Sequence, residues 1–178
     1  MTSLADIAAA VSAQKLPPVD QWHPAHCGDS EMRIARDGSW FHAGSPIGRP
    51  ALVKLFSTIL RREADGSFVL VTPGEKLDIT VEDAPFVAVE MTSEGAGTDR
   101  RLAFRLNTDE HVLAGPGNRL RFVVAADGTP RPYLHVRGGL DALVGRAVYY
   151  ELVELALAEG ATPPGLWSAG AFFALPGA

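Results

Sequence analysis

Two histidines, a thiol and a carboxylate crowd into Trp22-His23-Pro24-Ala25-His26-Cys27-Gly28-Asp29, the sharpest local cluster in the chain. Zinc accepts donors of these types. Their spacing matches no established ligand pattern, and His23 and His26 flank a proline instead of sharing a helix face. A polar connector is the simpler reading, and no metal is expected. The better signal is electrostatic and occurs twice. Gly48-Arg49 and Arg137-Gly138-Gly139 each stand just ahead of a segment that reads as a helix. A helix N-terminus offers unpaired N–H groups and a positive dipole end, glycine permits close approach, and arginine adds a two-pronged donor. Together these suit an anionic ligand, phosphate especially. The plainer reading is that the arginines cap or cover the helices while the glycines turn the chain.

Catalytic motifs are missing. There is no Gly-x-Ser-x-Gly elbow, Ser57 and Thr58 fall inside a helical pattern, and Cys27 is the single cysteine. Glu82-Asp83 precede Ala84-Pro85 and read as a turn whose aspartate bonds backbone amides. Neither a Walker-type loop nor Gly-x-Gly-x-x-Gly is present, so ATP hydrolysis and Rossmann dinucleotide binding have no motif behind them, and no cofactor is implied.

The elements that must position these residues follow a repeated plan. Leu4, Ile7, Ala8 and Val11 recur at helical spacing and stop before Pro17-Pro18. Met32 to Ser39 and Leu120 to Thr129 each form an alternating run into an Asp-Gly turn, expected as a two-residue hairpin of type I′. Each is followed by a second strand, a glycine and a helix. The helices are expected to run from Pro50 to about Arg62 and from Leu140 to Glu159, with Ala51-Leu52-Val53 and Ala142-Leu143-Val144 as matching starts. Between them, Phe68–Val71, Leu77–Val81, Phe86–Met91, Leu102–Leu106 and a short run near His111 read as strands. The predicted class is α+β: internally duplicated antiparallel-sheet-plus-helix units. A tail carrying Phe172 and Phe173 is expected to anchor on the body.

Composition narrows the function classes. At 178 residues, with 47% apolar and 21% charged residues, the chain buries a full core without disulfides. A net charge of -5 is not the basic body of a nucleic-acid binder, so no nucleic acid polymer is expected as partner. No apolar run approaches a membrane span, and no basic run precedes an apolar core at the N-terminus. A cytoplasmic protein with no membrane partner is the expectation, and a lone cysteine fits a reducing compartment.

An ordered set of residues resembles a known family. It runs Ile34-x-x-Asp37-Gly38-x-Trp40, Pro46-Ile47-x-Arg49, Leu52-Val53-x-Leu55-Phe56-x-x-Ile59-Leu60, Thr72-Pro73-x-Glu75-Lys76 and Val81-Glu82-Asp83-Ala84-Pro85-Phe86. Pro17-Pro18-x-x-x-Trp22 and Cys27-Gly28 fit upstream. This pattern, from about Pro17 to Ala158, resembles the uncharacterised bacterial family called domain of unknown function twelve eighty-five. The resemblance implies a duplicated core, a C-terminal half similar to pleckstrin-homology-like domains, and a ligand site between the halves that takes a nucleotide-like molecule in signal transduction. Gly74 and Asn107 depart from the family pattern.

The expected division is an N-terminal lobe over 1–75 and a pleckstrin-homology-like C-terminal lobe over 76–178, its sheet capped by the 140–159 helix. The favoured function is a non-catalytic ligand-binding or signalling module whose partner is a small anionic, nucleotide-like molecule. One alternative is an enzyme acting on a phosphorylated small molecule, with Glu75 or Asp83 as general base. Another is a protein-interaction adaptor using an exposed sheet edge or the Trp22 connector. The site is expected between the lobes, from Arg49 and from the Thr72–Lys76 and Asp83–Phe86 turns, taken to lie at one end of a sheet. Lys76 and Arg49 would meet anion charge, Trp40 or Phe86 would stack on a ring, and Glu75 and Asp83 would accept ligand hydrogens. Arg137 is the matching candidate from the second copy.

Overall fold

In the computed structural model, which describes residues 3–176, helix α1 (Leu4–Ala13) precedes two six-stranded sheets. The first contains β1 (His26–Ile34), β2 (Trp40–His42), β3 (Ser45–Pro46), β4 (Leu60–Arg62), β5 (Phe68–Val71) and β6 (Lys76–Val81), with helix α2 (Pro50–Thr58) between β3 and β4. The second contains β7 (Phe86–Glu94), β8 (Arg101–Leu106), β9 (His111–Leu113), β10 (Leu120–Val124), β11 (Pro130–Arg137) and β12 (Leu140–Val144). Helix α3 (Arg146–Glu159) and a hairpin of β13 (Gly165–Ser168) and β14 (Ala171–Ala174) complete the chain. Residues 1–2 and 177–178, the outer ends of the two expected lobes, lie outside the described residues.

The duplication is real, but its register is not the one the Asp-Gly turns suggested. The strand orders are β3-β2-β1-β6-β5-β4 and β9-β8-β7-β12-β11-β10, one the copy of the other strand for strand. Each sheet is antiparallel apart from one central parallel pair, β1 with β6 and β7 with β12. The backbone bond that closes each parallel pair also repeats, Glu82 N to Ile34 O and Gly145 N to Ala88 O. The turn matching Asp127-Gly128 is therefore Asp65-Gly66, between β4 and β5, and not Asp37-Gly38. Helices α2 and α3 occupy different places in the repeat and are not copies.

The expected helix 140–159 is split for the same reason. Leu140, Ala142 and Val144 alternate as buried residues in a strand, and the helix begins only after Gly145. Period two overrides the helical reading here because β12 is flanked by β11 and β7. Gly138 and Gly139, both at positive φ, turn the chain between β11 and β12, so Arg137 does not precede a helix. Helix α2 likewise stops at Thr58, and Leu60–Arg62 extends as β4.

Three hairpin turns share one geometry. In 35–39, 63–67 and 125–129 the first residue donates its N–H to the carbonyl of the fifth, and the glycine donates back to the first. Gly38, Gly66 and Gly128 have φ of 88°, 88° and 80°, while the aspartates before them do not have positive φ. These are three-residue loops, a type I turn with the glycine in the left-handed position, in place of the two-residue type expected. Each aspartate accepts the N–H two residues on, at 2.9 Å. These bonds, led by the Ser39 and Thr129 amides and by the Ser67 hydroxyl, hold Asp37, Asp127 and Asp65 below the ordinary aspartate range. A depressed folded pKa contributes stability above the unfolded value that is lost as pH falls through the folded one. Asp127→Ala is thus expected to lower the urea midpoint at neutral pH, and the difference from the unaltered protein is expected to shrink as pH falls through the lowered pKa of the folded aspartate.

The two sheets share one core. Ile34, Trp40, Leu60, Leu70 and Ile79 from the first pack in the same buried cluster as Phe86, Phe104, Leu134, Leu140 and Leu152 from the second lobe. Strand β6, which a division at 75/76 would assign to the C-terminal lobe, bonds to β1 and β5 in the first sheet. The sheets part at the Glu82–Pro85 turn. Helix α1 carries a capping box of Ser3 and Asp6 and buries Leu4 and Ile7 against Ala103 and Leu113. In the tail, Phe173 is buried and Phe172 packs on Trp167 at 5.4 Å.

Candidate functional site

The residues singled out in the sequence are not brought together as one cluster. The Thr72–Lys76 turn and the Asp83–Phe86 turn flank β6, so they lie at opposite ends of it, about 20 Å apart. A turn before a strand and a turn after it cannot share an end, and the expected placement is corrected on that ground. Thr72 and Glu75 close a local turn, with Thr72 N donating to Glu75 O and Glu75 N donating to Thr72 Oγ1. Lys76 opposes Val71 in the sheet. Arg49 stands exposed at the N-cap of α2 and makes no side-chain hydrogen bond or ion pair among the described residues.

Two ring candidates are core. Trp40 is 2% exposed and stacks on Phe56 at 6.4 Å, and Phe86 is fully buried. Trp40 also borders a cavity of about 290 Å³ with Gly48, Pro50 and Lys54, while its indole nitrogen is buried and has no hydrogen-bond partner among the described residues. Arg137 lies over the Phe86 ring at 5.2 Å, pairs with Glu110 and donates to Ser57 O at 3.0 Å. Its guanidinium ties β11 to β9's turn and to α2. The histidine cluster also resolves into local contacts: His26 meets Asp78 at 2.9 Å, and Cys27 is exposed. Among the described residues no group of three metal-binding side chains converges.

Asp83 does reach a seam between the lobes. Tyr133 donates to Asp83 Oδ1 at 2.6 Å, and the other oxygen, Oδ2, has no hydrogen-bond partner among the described residues. Arg36 Nε is 3.9 Å from it. Burial, and then the bond to Asp83, push the Tyr133 phenol above its ordinary value, so it is a donor at neutral pH. Arg121 lies over the Tyr133 ring at 4.6 Å and pairs with Asp141 at 2.7 Å. From the first lobe, Arg62 donates to Gly139 O at 3.2 Å and covers Phe68. It has no carboxylate partner among the described residues. These groups line a cavity of about 220 Å³ with Ala84, Pro85 and Val123.

Arg62, Arg121, Tyr133 and Asp141 escaped the sequence reading. Counting outward from the observed three-residue loop sets Arg121 opposite Tyr133, whereas the two-residue loop expected from Asp127-Gly128 would have set Leu134 there. Arg62 and Asp141 were hidden inside segments read as helices.

The seam has a second fastening at Asn107. Its side chain accepts from Val87 N at 3.0 Å and donates to Gly38 O at 3.2 Å, joining β7 to the β1–β2 turn. A Cβ at Gly38 would stand 2.6 Å from the Asn107 amide nitrogen, so the close approach requires glycine there.

Duplicated sheets meeting at such a seam can be compared with known proteins. The profile of the N-terminal domain of a domain of unknown function, DUF1285, matches residues 17–84, and that of the C-terminal domain matches residues 85–175. The chain belongs to the DUF1285 family. The two profiles meet at the turn where the sheets part. A crystal structure of a DUF1285 family protein from Silicibacter pomeroyi DSS-3 is 47% identical, with a TM-score of 0.83 over 95% of this chain and 93% of that one. A second, from Shewanella baltica OS155, is 27% identical, with a TM-score of 0.54 over 69% of this chain and 90% of that one. No curated protein matches the chain. Among the described residues, no helix is long and apolar enough to cross a membrane.

Proposed function

We propose that this protein is a non-catalytic binding module whose ligand, a small anionic molecule of nucleotide-like kind, sits at the seam beside Asp83. The observation that carries the reading is Arg62, a cation without a carboxylate partner, facing the same cavity as Arg121 and Tyr133 of the other lobe. Guanidinium groups from two lobes suit a phosphate or carboxylate, and Asp83 and Asp141 suit the hydroxyls of a sugar. At about 220 Å³ the cavity is smaller than most ligand pockets, so it accommodates a sugar phosphate with any ring lying outside, toward Phe68. A ligand touching both lobes would couple their relative position to its binding, which is the requirement for a signalling role.

The enzymatic alternative has less support. Tyr133 is held protonated, and Glu75 sits in an exposed turn remote from the seam.

A thermal-shift series over inorganic phosphate, sugar phosphates and mononucleotides tests the reading, since a ligand bound to the native state raises its apparent stability. At one hundred times Kd the gain is about 2.7 kcal/mol. Arg62→Ala and Arg121→Ala are each expected to abolish the shift given by the best probe while leaving the unliganded protein folded. A shift that survives both substitutions would place the ligand elsewhere.

A further inference from the structure

Strand β10 ends its sheet, and nothing among the described residues pairs with its outer side. Arg119 O accepts from His135 N and Ala125 N donates to Thr129 O, so the odd-numbered residues direct their backbone groups toward β11. The N–H and C=O groups of Leu120, Phe122 and Val124 consequently point outward, and they make no other backbone bond among the described residues. Free edges of this kind are usually blunted by charge, proline, a bulge or a covering segment. The equivalent edge in the first lobe, β4, is covered. There the connector around Val19–Gln21 lies alongside, gripped by Arg61, which donates to the carbonyls of Val19 and Trp22 at 2.8 and 2.7 Å. Helix α1 packs beside β9 in the second sheet.

None of these devices protects β10. It pairs with β11 without a bulge, contains no proline, and carries Arg121 as its one charge, already engaged with Asp141. Val123 and Val124 are 41% and 60% exposed, and Tyr150 of α3, next to the Tyr149 that packs on Phe122, is 56% exposed. We infer that β10 pairs antiparallel with β10 of a second copy of this chain, joining two second-lobe sheets into one. The sequence is self-complementary for that pairing. With Val123 on the two-fold axis, Phe122 stands opposite Val124 of the other copy, and Arg121 stands opposite Ala125. Beyond the paired stretch, Arg119 of each copy comes level with the turn of the other that holds Asp127, so opposite charges face each other at both ends. The exposed carboxylate of Asp127 has no ion pair in the single chain among the described residues, and neither has Arg119.

A five-residue strand pair buries less than the roughly 1,200 Å² of a stable dimer, so the association is expected to be weak and concentration-dependent. Light scattering on the full chain over a concentration series is expected to show mass rising from 18.9 kDa toward twice that value. Val124→Lys, which places an ammonium opposite Phe122, is expected to hold it at the monomer. The register has its own check. Val123 would occupy a non-hydrogen-bonded pair on the axis, with Cα atoms about 4.5 Å apart, inside disulfide range. Cys27→Ser combined with Val123→Cys is therefore expected to give a disulfide-linked dimer on oxidation, whereas Cys27→Ser alone does not. A monomeric mass throughout the series overturns the inference. So does a dimer that Val124→Lys leaves intact and that Val123→Cys cannot trap, since its interface must lie elsewhere.

Discussion

Arg137→Ala is expected to destabilise the protein by about 3–5 kcal/mol, the usual effect of removing one partner of an ion pair shielded from water. Side-chain exposure of 22% for Arg137 and 11% for Glu110 places this pair toward the shielded end. The substitution strands Glu110, leaves the Ser57 carbonyl without its donor at 3.0 Å, and takes a cation from the face of Phe86. In a chain of this size each kcal/mol moves the melting temperature by about 2–4 °C, so a fall on the order of 10 °C is anticipated. Replacing both members, Arg137→Met with Glu110→Leu, should recover much of the loss, because apolar residues of similar volume leave no orphaned charge. Equal losses in the single and double variants would show that the pair itself matters little. Arg137 does not line the seam cavity, so a ligand bound there should stabilise the Arg137→Ala protein as much as the parent.

Phe86→Ala carries a comparable expected loss, about 3–5 kcal/mol, from the buried ring and the cavity left behind. Phe86 begins β7 and is fully buried, pairs with Ala142 across the parallel step, and packs in the core common to both sheets. Its removal should lower the urea midpoint with little change in slope, while Phe86→Leu, which fills most of the space, should lose less. A ring waiting for a ligand would behave differently. It could be truncated cheaply, and its loss would appear in binding alone.

How far the sequence reached can be judged from particular residues. The strands Phe68–Val71 and Leu102–Leu106 were legible as short apolar runs between turn residues, although both are buried nearly throughout and do not alternate. The N-terminal helix was legible through its cap and its apolar spacing, and the hairpins through Asp-Gly. Family membership also followed, since ordered identities over most of the chain survive without any knowledge of pairing. The register of the duplication did not. Three turns of the form Asp-Gly-Ser or Asp-Gly-Thr look alike in sequence, and only the hydrogen bonds of the β1–β6 and β7–β12 pairs say which two are equivalent.

The candidate site followed the same division. Asp83 was found from its own turn, which is a local inference, but Arg121 and Tyr133 could be paired only once the hairpin loop proved to hold three residues and not two. Leu140–Val144 read as the start of a helix, since five residues next to a true helix carry too little periodicity to tell strand from helix. With that segment misplaced, Asp141 was lost, and Arg137 appeared at a helix terminus when it ends strand β11. Chemistry, turns and apolar runs are written residue by residue, so the sequence alone determined them. Which strand lies beside which, and so which arginine reaches which carbonyl across the seam, depends on contacts between residues far apart in the chain, and only the tertiary structure decided it.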